Sequence, residues 1–295
     1  MKKLLVFGGT RFFGEKVVAS FLRLGYQVTI ATRGLTPDSF GDTVNRIEID
    51  RSNANHPAWI ELADTHWDVV FDNICFTKED AEIACTHLKN VSHYLLTSSL
   101  AVYKGTAPEI GFIETDFIAA SHTFDDTTPV DYGEGKRQAE HYFTHHYSNP
   151  VTFLRFPVVL DDDDYTERVH VYLRAIKNNE PIKFQNGNGR FSFVRASEIP
   201  NMLQFVVNSS IIGPLNLASN QIYTTDEFIT RLGQASEKDE LSITYEDTTW
   251  DKLSPFAKYP KPMSVATLIE YDYPVSELDD WLPALMTRLY NQMKQ

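Results

Sequence analysis

The stretch Leu4-Leu5-Val6-Phe7-Gly8-Gly9-Thr10-Arg11-Phe12-Phe13-Gly14 constrains this chain more than any other. A short apolar run breaks into two glycines, after which Val17, Val18, Phe21 and Leu22 recur at helical spacing. The pattern predicts a strand, a tight turn and a helix. Gly8 permits the sharp turn and Gly14 permits close approach of helix to strand, while the amides at the new helix start form a cradle suited to a pyrophosphate. A further glycine usually stands between these two, and Arg11 holds that place here. The position between a first strand and a first helix is what carries the reading.

The alternation continues along the chain. Residues 28–31 predict a second strand ending at Thr32-Arg33-Gly34, 46–49 a third running into Asp50-Arg51, 68–74 a fourth that includes Asn73, and 93–99 a fifth ending in Ser98-Ser99. Helices are predicted at 78–89 and from Asp131-Tyr132 onward, and a sixth strand at 151–156 stops at Pro157. Strands alternating with helices predict a doubly wound parallel α/β sheet of the Rossmann kind with right-handed crossovers.

The remainder alternates less regularly. It predicts helices at 169–176, 198–207 and 225–232, short strands at 182–185, 193–194 and 241–245, and a strand at 214–217 returning to the main sheet. Ser276 is read as the cap of a C-terminal helix with an apolar face of Leu278, Trp281, Leu282, Leu285 and Leu289. Residues 1–160 with 191–220 are assigned to a dinucleotide-binding domain, and 161–190 with 221–295 to a smaller, mostly C-terminal α/β substrate domain. The acidic run Asp161 to Asp164 predicts a solvated turn, because like charges repel, and no metal site is assigned to it.

Composition narrows the function classes. A chain of 295 residues with 42% hydrophobic content is long enough for one large domain or two smaller ones with real cores. The formal net charge of -13 argues against a surface that tracks nucleic-acid phosphates. Cys75 and Cys85 are the two cysteines and lack metal-ligand spacing, and neither a leader nor a bilayer-length apolar stretch is present, which predicts a cytosolic protein.

The second strand bears on cofactor choice. An acid at its end usually holds the adenosine ribose hydroxyls in such folds, whereas an arginine favours a 2′-phosphate. Thr32 stands in the acid's place and Arg33 follows, with Arg11 expected nearby, so NADP is favoured over NAD.

Tyr132 and Lys136 are four residues apart and share a helix face. Tyr290 and Lys294 repeat the spacing at the C-terminus, so spacing alone does not select the pair. Tyr132 is distinguished by its surroundings: a cofactor turn upstream and a hydroxyl-bearing strand end at Ser99, where ligands gather in open α/β sheets.

Together these residues resemble the extended short-chain dehydrogenase/reductase superfamily, within the NAD-dependent epimerase/dehydratase family. The stretches Ser98-Ser99-Leu100-Ala101-Val102-Tyr103, Tyr132 to Lys136 and Leu154-Arg155-Phe156-Pro157 match that family's strand-end hydroxyl, Tyr-x-x-x-Lys pair and arginine-proline strand end. The turn Gly8 to Gly14 is similar to the branch that includes the chloroplast stem-loop-binding proteins, atypical members associated with RNA.

The resemblance implies a hydride transfer between a nicotinamide and a hydroxyl or carbonyl of a small polar, sugar-like substrate. Tyr132 would exchange the hydroxyl proton, Ser99 would bond the same oxygen, and Lys136 would hold the nicotinamide ribose and supply the cation a phenolic base needs, since an unperturbed tyrosine ionises near pH ~10. Gly8, Thr10, Arg11, Phe12, Phe13, Gly14, Arg33, Asp50, Arg51 and Asn73 would bind the cofactor, with Asp50 and Arg51 on the adenine side and Pro157, Val158 and Val159 at the carboxamide.

Dehydratases of the family carry an Asp-Glu pair after the strand-end hydroxyl, and Leu100-Ala101 stand there instead, which favours oxidoreduction or epimerisation over loss of water. Arg168, Arg190 and Arg195 are read as ion-pair partners before phosphate ligands, and Phe184, Phe191 and Phe193 as core. The resemblance also implies a homodimer. A different class of function, a non-catalytic relative binding RNA or a protein partner, is the alternative.

Overall fold

In the computed structural model, which describes residues 1–125, 127, 130–184, 187–245 and 261–294, the chain runs β1 (Lys3–Phe7), α1 (Phe12–Arg23), β2 (Gln27–Thr32), β3 (Asn45–Glu48), α2 (Ala58–Asp64), β4 (Trp67–Asp72), α3 (Lys78–His87), β5 (Val91–Ser99), α4 (Tyr132–His146) and β6 (Val151–Phe156). It continues through β7 (Val158–Leu160), α5 (His170–Asn178), β8 (Ile182–Phe184), β9 (Arg190–Phe191), β10 (Phe193–Arg195), α6 (Ile199–Ser209) and β11 (Gly213–Asn216). The last elements are β12 (Tyr223–Thr224), α7 (Thr225–Ser236), β13 (Ile243–Tyr245), α8 (Ala266–Glu270) and α9 (Leu278–Lys294). Gln185, assigned to a strand from the sequence, lies outside the described residues.

The chain divides into two units, and each takes several stretches of sequence. The first comprises Met1–Lys104, Glu114–Phe156 and Ser197–Asn216; the second comprises Gly105–Ile113, Pro157–Ala196 and Leu217–Gln295. The boundaries differ from those drawn on the sequence: residues 105–113, 157–160, 191–196 and 217–220 go with the second unit. Strand pairing is the reason for part of this. Val158 pairs with Phe193 and Leu160 with Arg195, so β7 and β10 form their own ladder instead of extending the main sheet.

The first unit is a seven-stranded, wholly parallel sheet in the order β11-β6-β5-β4-β1-β2-β3. Central β1 pairs Leu5 with Thr29 of β2 and with Val70 of β4. Leu4 to Phe7 are fully buried, as a strand covered on both faces requires, and this explains its unbroken apolar run. Helices α1 and α6 pack together, as do α3 and α4. One core joins Leu5, Phe7, Val70 and Tyr94 of the sheet to Trp59, Ala84 and Phe143 of the helices. The strand predicted near 214–217 does return to this sheet, pairing Leu215 with Leu154.

The second unit is built from two-stranded ladders, β7 with β10, β9 with β12 and β8 with β13, and from α5, α7 and α9, which pack on one another. Tyr172, Phe184, Phe191, Phe193, Phe228, Trp281, Leu282 and Leu285 make its core, so the three phenylalanines read as core from the sequence are buried there. Among the described residues no helix is long and apolar enough to cross a membrane.

Candidate active site

The turn after β1 is shaped by what its glycines exclude. Gly8 and Gly9 adopt φ of +93° and +86°, and a Cβ on Gly9 would lie 2.8 Å from Val6 Cγ1 and 3.0 Å from Val18 Cγ2. Gly14 sits with its missing Cβ 3.1 Å from Gly9 Cα, so strand, turn and helix meet backbone to backbone. Arg11 has extended backbone (φ -147°, ψ 149°), a conformation any residue adopts, which is why arginine is tolerated where a glycine was expected. Phe12 takes φ of +51°, sparsely populated for a bulky residue, and its buried ring packs edge-on against Phe13, whose ring reaches Phe156. These aromatic contacts fix the start of α1 and leave its first-turn amides without helical acceptors.

Beside the turn lies a cleft of about 340 Å³ lined by Thr10, Thr32, Arg33, Thr36, Asp50, Arg51, Ser52, Phe76 and Asp80 among others. Arg33 is exposed at its rim, and Arg11 Nη2 donates to Thr36 Oγ1 at 3.1 Å. Asn73 stands behind the glycines: its Nδ2 is 3.4 Å from where a Gly14 Cβ would be, and its Oδ1 accepts from Thr97 Oγ1 at 3.1 Å.

Arg51 plays a more internal part than its sequence position suggested. It is buried, with Nη1 3.2 Å and Nη2 3.0 Å from the Asp72 carboxylate, Nη2 also donating to Asp80 O. Burial acts to lower its pKa, and the surrounding charges, Asp72 first, together outweigh this and raise it. Tyr94 donates to Asp72 Oδ2 at 2.6 Å, its own ionisation suppressed by burial and by that carboxylate. Arg51 therefore ties the stretch after β3 to the end of β4 and to α3 beneath the cleft, and its Nε, which has no hydrogen-bond partner, is the one side-chain nitrogen not engaged there.

Helix α4 carries the tyrosine and lysine. Asp131 caps it by accepting from Glu134 N at 2.7 Å. Gly133 and Gly135 let it press onto two strand-end loops: a Cβ on Gly133 would lie 2.7 Å from Ala101 O, and one on Gly135 would collide with Phe76 O. A glycine inside a helix costs about 1 kcal/mol against alanine. The close approach it permits brings Lys136 within reach of both loops. Lys136 Nζ donates to Cys75 O at 2.6 Å and to Thr97 O at 2.8 Å, and lies 4.7 Å from the Phe76 ring centroid and 5.8 Å from that of Tyr132. The lysine is 1% exposed and the tyrosine 50% exposed. Ser99, two residues beyond Thr97, accepts from Ala101 N at 3.2 Å, which leaves its own O–H to donate.

Two further networks hold this end of the sheet. Arg155 and Glu140 are wholly buried and paired through two contacts, Nε to Oε1 at 3.1 Å and Nη2 to Oε2 at 2.7 Å. Arg155 also donates to Tyr103 and to the carbonyls of Glu114 and Phe117, and Ser98 donates to Glu140 Oε1 at 2.5 Å. On α4, burial alone would raise the Glu134 pKa, but hydrogen bonds from His122, Arg137 and Gln138 and the Arg137 charge hold it down at about 2.

Pro157, Val158 and Val159 fall in the second unit, at the start of β7. The acidic run is not simply solvated: Asp161 and Asp164 are buried and contact Arg195 at 3.3 Å and Arg168 at 3.5 Å, while Asp162 pairs with Arg288 at 2.9 Å. Arg190 donates to the carbonyls of Pro108 and Glu109. Sequence reasoning missed Asp72, Phe76, Gly133, Gly135 and Asp80. Only Asp80 carried a local signal, the Thr77-x-x-Asp80 capping box that closes the start of α3.

No family model matches the sequence, and no curated protein does. Solved structures do match the fold over nearly their whole length. A dTDP-glucose 4,6-dehydratase from Bacillus anthracis in complex with NAD superposes with a TM-score of 0.76 at 14% identity, covering 99% of this chain and 97% of that one. A UDP-glucose 4-epimerase from Thermotoga maritima with UDP-glucose gives 0.72 at 16% identity, over 99% and 100%. A UDP-N-acetylglucosamine 4-epimerase from Methanobrevibacter ruminantium gives 0.71 at 19%, over 99% and 98%. The chain has the fold of these epimerases and dehydratases. At such identities the shared fold says nothing by itself about the reaction, which has to be read from the side chains.

Proposed function

We propose that this chain is a nicotinamide-dependent oxidoreductase or epimerase acting on a hydroxyl or carbonyl of a small polar, sugar-like substrate. The observation that carries the reading is convergence. Gly133 packs on the turn just after Ser99, Lys136 bonds the strand two residues before it, and Tyr132 stands half exposed on the same helix.

The residues around the turn fit a dinucleotide. Gly8, Gly9 and Gly14 form a cradle that side chains would fill, the start of α1 with Thr10, Arg11, Phe12 and Phe13 offers backbone amides to a pyrophosphate, and Asn73 lies against the glycines. Asp50 lines the adenosine side of the cleft, and Arg33 and Arg11 border it where a 2′-phosphate would be read, which supports NADP over NAD. Pro157, Val158 and Val159 are assigned to the carboxamide.

When bound, the nicotinamide supplies or accepts a hydride. Tyr132 Oη exchanges the proton of the substrate hydroxyl. The Lys136 ammonium, two of whose donors bond Cys75 O and Thr97 O, favours negative charge on that phenol and has its third donor for the nicotinamide ribose. Ser99, its Oγ already bonded to Ala101 N, donates its own proton to the substrate oxygen. Leu100 and Ala101, buried and apolar after Ser99, provide no second acid or base, which supports oxidoreduction or epimerisation over dehydration. Arg168 and Arg195, tied to the Asp161–Asp164 run, support a small substrate over one bearing a nucleotide diphosphate. We further read the protein as a cytosolic homodimer, which light scattering checks in solution.

The test is calorimetric titration with NADPH and NADH followed by turnover assays on sugars and ketones. Binding of one dinucleotide is expected, with turnover falling roughly 10²–10⁴-fold in Tyr132→Phe and dinucleotide affinity unchanged. A protein that binds neither dinucleotide sinks the proposal.

A further inference from the structure

Three donors project from a lysine ammonium. In Lys136 two are spent on Cys75 O and Thr97 O, and the remaining side of the ammonium faces the ring of Phe76. With 1% of its surface exposed, the lysine as arranged here has no donor to offer a sugar hydroxyl. Phe76 is the opposite case: a large apolar side chain, 46% exposed, in the wall of the cleft.

The backbone beneath that ring is pinned. Phe76 N donates to Asp80 Oδ2 at 2.8 Å, Thr77 N donates to the same oxygen at 3.3 Å, and Phe76 O is seated against Gly135 of α4. The side chain is left to move by rotation about its Cα–Cβ bond, with the Tyr132 ring 6.4 Å away. A phenyl ring over an ammonium is a weak contact, one a bound ribose can displace in exchange for hydrogen bonds.

We propose that Phe76 is a gate on Lys136, its ring covering the ammonium until the nicotinamide-ribose half of a dinucleotide displaces it. The gate rests on the cofactor reading for its purpose and on the Lys136 geometry for its existence, and the two are separable.

Competitive amine labelling read by mass spectrometry tests the gate without any nucleotide. Lys136 is expected to label at least about five times faster in Phe76→Ala than in the parent, with Phe76→Leu in between and the other lysines unchanged. Equal Lys136 labelling in all three proteins overturns the gate. Titration with NADPH and with adenosine 2′,5′-bisphosphate, which lacks the nicotinamide ribose, tests its use. Phe76→Ala is expected to tighten NADPH severalfold and leave the bisphosphate unchanged. Weakening of both ligands makes Phe76 a wall of the adenosine cleft and overturns the gate. Faster labelling in a protein that binds neither ligand keeps the gate and removes the cofactor reading instead.

Discussion

Arg51 and Arg155 each lie against a buried carboxylate, Asp72 and Glu140, whereas Lys136, equally buried, lies against two carbonyls and two aromatic rings. Among the described residues no carboxylate pairs with Lys136. The arginines are neutralised where they stand, and their geometry serves the fold: one joins the stretch after β3 to the end of β4 and to α3, the other anchors the 114–117 segment to the end of β6. An unneutralised cation is costlier to bury. Its positive potential is instead available to a negative charge that forms nearby, as on the Tyr132 phenol, whose ring centroid lies 5.8 Å away. Buried charge in one unit thus has two uses, and the absence of a counter-ion separates them.

The largest effect should come from breaking a neutralised pair. Arg155→Met strands Glu140 in the core and is expected to cost about 3–5 kcal/mol in denaturant unfolding, much of it recovered in the double variant Arg155→Met/Glu140→Leu. A cost under about 1 kcal/mol would erase the distinction. Lys136→Met leaves two carbonyls without a donor, so about 1–3 kcal/mol of stability is expected to be lost. Turnover should fall at least about 100-fold in the same variant. If stability fell as far as in Arg155→Met with turnover intact, the lysine would be one more structural cation.

The smallest effect concerns Glu134, whose carboxyl is held at about 2 in the fold against its ordinary value of 4.5. Its folded pKa is depressed, so its contribution is full above pH 4.5 and is lost as pH falls through that value towards 2. Thermal unfolding of the parent and Glu134→Gln should differ most above pH 4.5 and converge below it. A constant difference at all pH values would assign the effect to packing.

The parallel sheet was legible in the sequence because strand and helix impose different periods on apolar residues, and the runs at 4–7, 68–74 and 151–156 show them cleanly. Helix α2 was missed: seven residues starting after Pro57 are too few to show a period. Strand β7 was missed because Pro157 reads as a stop, yet pairing with β10 restarts a ladder one residue later.

At the site, Tyr132 and Lys136 were found from helical spacing and Ser99 from its strand end. Arg51 was read as an adenine-side cofactor residue, since nothing local announces that Asp72, 21 residues on, will meet it. Gly133 and Gly135 look like helix-weakening residues until the carbonyls of Ala101 and Phe76 are seen beneath them. Contacts between distant segments are what one-dimensional patterns omit.

Strand β11, which closes one edge of the seven-stranded sheet, is supplied by residues that follow the Pro157–Ala196 stretch of the second unit in the chain. During synthesis β6 must therefore wait with an unpaired edge until about sixty more residues have left the ribosome. A gene fragment ending near Pro157 would express that bare edge permanently, so cutting the protein at its apparent midpoint should yield an aggregating half and not a miniature.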